Sequence, residues 1–143
     1  MLKPSEVDGS RIKEYCDQKG ILISSIGTGM AYGKEGLSIT SRDEDVRKRA
    51  VQRLKEQLDL ASLLNCSIVI GSMRGVIGPK DSREAVDSRM IESCKELCEY
   101  AERGNGTIVI EAIDRFETNY LQRAEEVMDI IHRVGSARLG VHL

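Results

Sequence analysis

The residue best placed to do chemistry is Glu111, which directly follows a short apolar run. That run, Thr-Ile-Val-Ile at 107–110, is rich in the β-branched residues that favour strands, and charged residues follow it. The pattern predicts a buried parallel strand with an acid at its C-terminal end. In βα architectures the catalytic groups lie at these ends, because the loops vary while the strands hold position. A carboxylate there can move a carbon-bound proton or bind a divalent metal.

Arg74 is a second candidate, because it follows another predicted strand, 67–73. A guanidinium at a strand end can bind an anionic or hydroxyl-rich ligand. A surface position, or pairing with a helix, is the alternative, and the sequence alone leaves both open.

The segment 27–40 is rich in glycine and contains Tyr32. Gly27, Gly29 and Gly33 fit neither the dinucleotide-binding nor the P-loop spacing, so a nucleotide site is not expected. A loop of this length is more often functional than not. The alternative is a solvated connection that contacts no ligand.

Alternating strands and helices must position these residues. The pattern predicts a helix at 7–19, then three strand–helix pairs, then a strand. This order indicates one α/β domain over 1–143, with parallel strands and right-handed crossovers. In the third strand, Glu111 and Ile108 point to opposite faces, and the Ile108 side must face the helices if Glu111 points into a barrel. The four strands are predicted at 21–26, 67–73, 107–113 and 137–143.

The starts of three helices are predicted from capping residues. Ser41 and Glu44 have the spacing of a capping box ahead of a long helix. Asp81 or Ser82 is expected to cap the next helix, and Thr118 the last one. Each helix has apolar residues three and four apart, which predicts one buried stripe per helix.

The composition excludes several classes of partner. The net charge is −2 with both signs scattered, and there is no Trp and only one Phe, so neither a basic stripe nor a stacking surface for nucleic acid is present. No apolar run approaches the ~20 residues of a membrane span. The start of the chain lacks the apolar stretch of a signal peptide, which favours a cytoplasmic location.

Four cysteines and two histidines complete the candidate ligands. Cys16, Cys66, Cys94 and Cys98 follow no disulfide or metal-site spacing, so small buried hydrophobes in a reducing compartment are expected. His132 is expected on the surface near a helix C-terminus. His142 is predicted to be a partly buried structural residue.

Three motifs occur in an order that resembles one family. They are Gly-Thr-Gly-Met-Ala-Tyr-Gly at 27–33, Gly-Ser-Met-Arg-Gly at 71–75 and Ile-Glu-Ala-Ile-Asp-Arg-Phe-Glu at 110–117. The chain resembles the sugar isomerase and ketose 3-epimerase group of the xylose isomerase-like TIM barrels. The resemblance extends over nearly the whole chain and covers roughly the third to sixth strands of such a barrel. It implies a partial TIM barrel of about four parallel strands.

The resemblance also implies roles for particular residues. In that group the first Glu of the 110–117 motif binds a divalent metal, Mn or Mg, and takes part in proton transfer, and the second contacts the sugar. These roles fall on Glu111 and Glu117. The loop at 27–33 would lie over the sugar, which makes Tyr32 a candidate lid residue. The substrate implied is a small sugar or sugar phosphate.

The resemblance further implies that the other metal ligands, an Asp after the sixth strand, a His on the seventh and a Glu on the eighth, lie beyond Leu143. Four strands do not close a barrel of about eight. We therefore expect a truncated segment of a metal-dependent isomerase or epimerase, inactive alone, whose exposed edges pair two copies into a homodimer. The alternative is a non-catalytic, self-associating half-barrel. An apurinic-site endonuclease, which needs several His ligands for zinc, is less favoured because the two histidines are predicted away from strand ends.

Overall fold

A computed structural model describes residues 3–143, which contain one four-stranded parallel sheet and five α-helices. Met1 and Leu2, which begin the segment predicted to lack a signal peptide, lie outside the described residues. The strands follow the chain order β1-β2-β3-β4, and every neighbouring pair is parallel. The predicted α/β class and the partial barrel are confirmed. The strands are β1 Ser25–Gly27, β2 Ser67–Ile70, β3 Ile108–Glu111 and β4 Leu139–His142.

One helix precedes the first strand and the others lie between strands, as the alternating pattern predicted, except that the short helix after β1 was not predicted. A short 3-10 turn at Pro4–Glu6 precedes the first helix, and a second, Ser72–Arg74, follows β2. None of the helices in residues 3–143 is long and apolar enough to cross a membrane. The helices are α1 Gly9–Lys19, α2 Gly29–Glu35, α3 Glu44–Leu64, α4 Arg83–Gly104 and α5 Ala124–Val134.

One face of the sheet packs against the helices. Ile68 and Ile108 are adjacent across β2 and β3, and both are fully buried, as are Ile70 and Ile110. The stripes predicted for α3 and α4 supply most of the helix side of this core. It includes Leu54, Leu58, Ala61, Met90, Cys94, Leu97, Cys98 and Ala101.

Two of the four cysteines are buried in the core, as predicted, and two are not. All four are free thiols; Cys94 and Cys98 are buried, but Cys16 and Cys66 are half-buried. Burial raises the pKa of the Cys94 thiol. The buried cysteines are therefore packing residues, as expected.

The first strand is shorter than predicted and begins later. Ile21 and Leu22, expected in the strand, are 50% and 95% exposed. The only neighbour of β1 in the described sheet is β2, which starts at Ser67. The N–H of Ser67 donates a hydrogen bond to the carbonyl of Ser24 at 3.4 Å. The residues before Ser24 therefore lack a ladder partner, because strand assignment depends on a neighbour as well as on β-propensity.

The glycine-rich segment 27–40 is not simply a loop. It contains the short helix α2, which ends at Gly36 with φ of +66°. Ala31, Leu37 and Ile39 are fully buried. The segment therefore packs into the core, which excludes the alternative of a solvated connection for these three residues.

Two helix starts differ from the prediction. Asp43, not Ser41, caps α3: its carboxylate accepts hydrogen bonds from the N–H groups of Asp45 and Val46. Ser41 instead accepts from the N–H of Asp43. The capping-box prediction is therefore wrong, although the predicted cap of α4, Ser82, is present.

The last helix begins at Ala124 rather than after Thr118. Leu121 adopts φ of +52°, which no α-helix accommodates, so the buried pair Tyr120 and Leu121 lies in a turn. Glu126 accepts hydrogen bonds from two N–H groups ahead of the helix. Burial raises the pKa of Glu126, but these bonds and Arg83 outweigh it, so the pKa lies below its ordinary value.

Candidate functional site

Glu111 occupies the C-terminal end of β3, as the sequence predicted. Burial alternates along the strand: Ile108 and Ile110 are buried, whereas Val109 and Glu111 are half-buried. Glu111 thus points away from the helix-covered face. Its carboxylate lies against the backbone after β2, since a Cβ added at Gly71 would come within 2.8 Å of Glu111 Oε2.

His142 lies beside Glu111 rather than in the interior. The two residues are register partners at the ends of β3 and β4. His142 is exposed, so the prediction of a partly buried structural histidine is wrong. Both histidines were predicted to lie away from strand ends. His142 contradicts this prediction, because β4 ends at His142 and not at residue 143.

Arg74 is completely buried, which excludes the surface role that the sequence left open. Its Nη1 donates a hydrogen bond to the backbone carbonyl of Glu111. The other two guanidinium nitrogens, Nε and Nη2, have no hydrogen-bond partner among the described residues. Burial lowers the pKa of Arg74, an effect opposed by nearby carboxylates such as Glu111 and Glu117.

A network below Arg74 fixes the turn that presents it. Thr40 Oγ1 donates to the carbonyl of Arg74 at 2.6 Å, and the carbonyl of Met73 accepts from the N–H of Ile39 at 2.9 Å. Helix α4 supports this segment from the other side, because Arg89 Nε donates to the Thr40 carbonyl at 2.8 Å. Sequence reasoning missed these supports, since no periodicity indicates contacts between loops.

The loop with Glu117 is held at two points. Asn119 makes a paired contact with the backbone of Ile77: its amide accepts from the N–H and donates to the carbonyl, both at 2.9 Å. Tyr120, fully buried, donates its hydroxyl proton to Asp87 on α4 at 2.8 Å. Glu117 itself is exposed. The loop is therefore anchored next to an accessible carboxylate.

A small cavity of about 50 Å³ brings several of these residues together. Three of the four predicted site residues, Tyr32, Arg74 and Glu117, line it, and Arg74 links it to Glu111 through the carbonyl contact. A larger cavity, about 420 Å³, lies near the start of β1, around Leu22. That is the opposite end of the sheet from Glu111, so we place the candidate site at the smaller cavity. Its other lining residues are Ser72, Gly75, Val76, Ile113 and Thr118.

The donor set at this edge does not by itself form a metal centre. Within residues 3–143 no group of three or more His, Cys, Asp or Glu side chains has the arrangement of a metal site. Glu111 supplies a single carboxylate, and a divalent ion such as Mg²⁺ usually takes one or two carboxylates together with further oxygen ligands. The described residues therefore fit one part of such a site only.

Four parallel strands in chain order, alternating with helices and presenting an acid at a strand end, have the arrangement of a TIM-barrel segment. The family model for the xylose isomerase-like TIM barrel matches residues 2–143. The chain belongs to this family.

Relatives to which this xylose isomerase-like chain is similar include sugar epimerases. L-ribulose 3-epimerase from Mesorhizobium japonicum is 28% identical over 146 residues, which is 99% of this chain and 47% of that protein. Fructoselysine 3-epimerase from Escherichia coli O157:H7 is 27% identical over 99 residues, 68% of this chain and 35% of that protein.

A solved structure of the same fold contains a sugar. D-allulose 3-epimerase from Methylomonas sp., in complex with D-allulose, superposes with a TM-score of 0.82 at 20% identity, covering 100% of this chain and 49% of that one. This xylose isomerase-like chain thus spans about half or less of the length of the relatives it matches.

Proposed function

We propose that this chain forms the part of a sugar isomerase or epimerase barrel in which Glu111 is the catalytic carboxylate. One observation supports this most: Glu111 points away from the helices at the C-terminal end of β3, beside the cavity that Arg74 and Glu117 line. The relatives whose names are 3-epimerases support the same activity. We further propose a cytoplasmic location, where the four free thiols stay reduced.

The chemistry assigns a separate task to each residue. Epimerisation or aldose–ketose isomerisation needs a base that removes a carbon-bound proton, and Glu111 would take this proton on its carboxylate. A divalent ion, Mn²⁺ or Mg²⁺, for which Glu111 would be one ligand, would polarise the neighbouring substrate oxygen. Glu117 would accept a hydrogen bond from a sugar hydroxyl, Arg74 would donate to the substrate, and Tyr32 would cover it.

Glu111 should determine what little divalent metal the isolated chain binds. A single carboxylate holds such hard ions weakly, so we expect Mn²⁺ to bind with a Kd on the order of 1 mM or weaker. Calorimetric titration of the Glu111→Gln variant should show that this binding is lost. We also expect the wild-type chain to be inactive alone, because the described residues supply too few ligands.

The matched control is Glu117→Gln, which removes an exposed carboxylate from the loop that follows β3 and should leave Mn²⁺ affinity unchanged. Equal Mn²⁺ binding by wild type and Glu111→Gln would disprove the role of Glu111. Micromolar binding lost in Glu111→Gln would instead show that the chain supplies metal ligands in addition to Glu111, which would contradict the weak binding expected here.

A second candidate function is self-association without catalysis, and the free sheet edges favour it. In the described sheet β1 pairs only with β2, and β4 only with β3. Unpaired edges seek partners, so we propose a homodimer in which two copies join through these edges. Ser25 is the outward-facing residue of β1, because Ser24 makes the bond to Ser67. A proline there removes an edge donor without removing a bond to β2.

Light scattering at micromolar concentration should report a dimer for the wild type and a larger monomer fraction for Ser25→Pro. A stable wild-type monomer over this range would refute the homodimer. The same measurement with Ser5→Pro, a substitution in the N-terminal turn Pro4–Glu6, controls for the general effect of proline.

A further inference from the structure

Arg74 is a buried cation, and within residues 3–143 no carboxylate forms a hydrogen bond with it. The side chain is 0% exposed, and its one bonded nitrogen, Nη1, donates to a neutral backbone carbonyl, that of Glu111. Burial of a charge without a charged partner is costly, and buried polar atoms in folded proteins are normally paired. An arrangement of this kind indicates a place where a ligand completes the pairing.

The two unpaired nitrogens of Arg74 are the pair that suits a carboxylate. Nε and Nη2 lie on the same side of the planar guanidinium, and their N–H bonds run nearly parallel. This fork matches the two oxygens of a carboxylate in a bidentate contact. The third nitrogen, Nη1, is already engaged and holds the guanidinium in place from the side of β3.

Arg74 is one of the residues that line the small cavity, but its Nε and Nη2 have almost no accessible surface in the structure, so a ligand reaches this fork only when the lining moves. The size of the cavity limits which group can do so. The cavity measures about 50 Å³ and also has the hydroxyl-bearing residues Tyr32, Ser72 and Thr118 in its lining. A volume of this order holds one or two water molecules, so it accepts one small functional group rather than a whole sugar. A sugar hydroxyl would fit but would leave the charge of Arg74 unpaired. A guanidinium binds both carboxylate and phosphate in a bidentate contact, and the carboxylate is the smaller of the two groups.

We propose that this cavity is a carboxylate subsite and that the substrate is an acidic sugar, whose carboxylate binds Nε and Nη2 of Arg74. The proposal rests on the isomerase or epimerase function above and specifies its substrate class. Because Arg74 also contacts the carbonyl of Glu111, a bound carboxylate would place the rest of the sugar next to the catalytic strand end.

Glu117 is the competing occupant within the chain. It lines the same cavity, is exposed at its rim, and exerts a favourable electrostatic effect on Arg74 without a hydrogen bond to it in the structure. If its carboxylate turned inward, it would fill the fork and leave no subsite. The Glu117→Gln variant separates the two cases.

The test compares two probes that differ only at one carbon, D-gluconate with a carboxylate and D-glucitol with a hydroxymethyl group, at constant ionic strength. We expect gluconate, but not glucitol, to bind the wild-type chain and shift the ¹⁵Nε–H resonance of Arg74. Arg74→Met should weaken gluconate binding by about 10- to 100-fold, the usual range for lost charge-assisted hydrogen bonds. Arg115→Met, which removes an exposed cation in the loop after β3, should not weaken it.

Three outcomes would overturn the subsite. They are equal effects of gluconate and glucitol on the Arg74 resonance, unchanged gluconate affinity in Arg74→Met, and gluconate binding that occurs only in Glu117→Gln. The wild-type resonance decides the matter even if Arg74→Met does not fold. The Mn²⁺ titration distinguishes failure of the acidic-substrate proposal from failure of the proposed function. If the wild-type chain binds no gluconate but still binds Mn²⁺ through Glu111, only the acidic substrate is refuted.

Discussion

Replacing Gly75 with alanine is expected to lower the free energy of unfolding by about 3–5 kcal/mol. Gly75 ends the turn that presents Arg74, with φ of +80° and ψ of −160°, a region of backbone space that is essentially restricted to glycine. A Cβ at this position would also collide with the hydroxyl oxygens of Ser38 and Thr40. Strain and collision add, and a domain of this size has roughly 5–15 kcal/mol in total. Urea denaturation followed by circular dichroism measures the loss.

Gly36→Ala is the matched control for this prediction. Gly36 also has a positive φ, +66°, but nothing lies within 4 Å of an added Cβ. Its substitution should cost only about 1 kcal/mol, the strain of a left-handed residue without a collision. Equal losses for the two variants would contradict the argument that contact with Ser38 and Thr40 fixes the turn.

The sequence predicts those parts of this structure whose signal lies within one segment. The stripes of α3 and α4 were predicted because apolar residues three and four apart repeat over some twenty residues. The position of Glu111 was predicted because an acid directly after a β-branched run is typical of the C-terminal end of a buried strand. In both cases the signal is local: the apolar spacing repeats along one helix, and the acid directly follows one strand.

The features that prediction missed depend on contacts between distant segments. Nothing near Arg74 in the chain indicates complete burial, since the cover comes from the segment around Thr40 and from the loop after β3. The late start of α5 is a similar case: Leu121 is helix-compatible by type, but in the structure it is buried next to Tyr120 with a positive φ. Likewise Gln57, buried in the α3 stripe without a partner for its amide among the described residues, has no sequence signal.

The site residues divide in the same way. The geometry brings Tyr32, Arg74 and Glu117 to one cavity, and Arg74 connects it to Glu111. The paired contact of Asn119 with Ile77 was not predicted, because it joins two loops whose sequences have no pattern in common. Strand ends therefore locate a site in a parallel α/β chain, whereas the loop contacts that shape it become visible only in three dimensions.

Asp87→Ala, which removes a buried carboxylate from α4, should lower the free energy of unfolding by about 2–4 kcal/mol. Asp87 accepts the hydroxyl proton of Tyr120 at 2.8 Å and pairs with Arg133 at 3.3 Å and Arg83 at 3.7 Å. Burial, followed by the contact with Asp87, raises the pKa of Tyr120, so the phenol stays protonated and remains a donor. Without Asp87 this fully buried hydroxyl would have no acceptor, which costs more than the bond itself contributes.

Asp129→Ala tests whether the destabilisation in Asp87→Ala comes from removing a buried carboxylate rather than from removing any negative charge next to Arg133. Asp129 pairs with the same nitrogen of Arg133, also at 3.3 Å, but its side chain is 65% exposed, so its removal should cost at most about 0.5 kcal/mol. Tyr120→Phe, combined with Asp87→Ala in a double-mutant cycle, isolates the hydroxyl–carboxylate contact, for which we expect a coupling of about 1 kcal/mol or more. Because Tyr120 anchors the loop that presents Glu117, amide hydrogen exchange at 114–121 should accelerate in Asp87→Ala and not in Asp129→Ala. Unchanged exchange in Asp87→Ala would mean that the Asn119 contact with Ile77 holds the loop by itself.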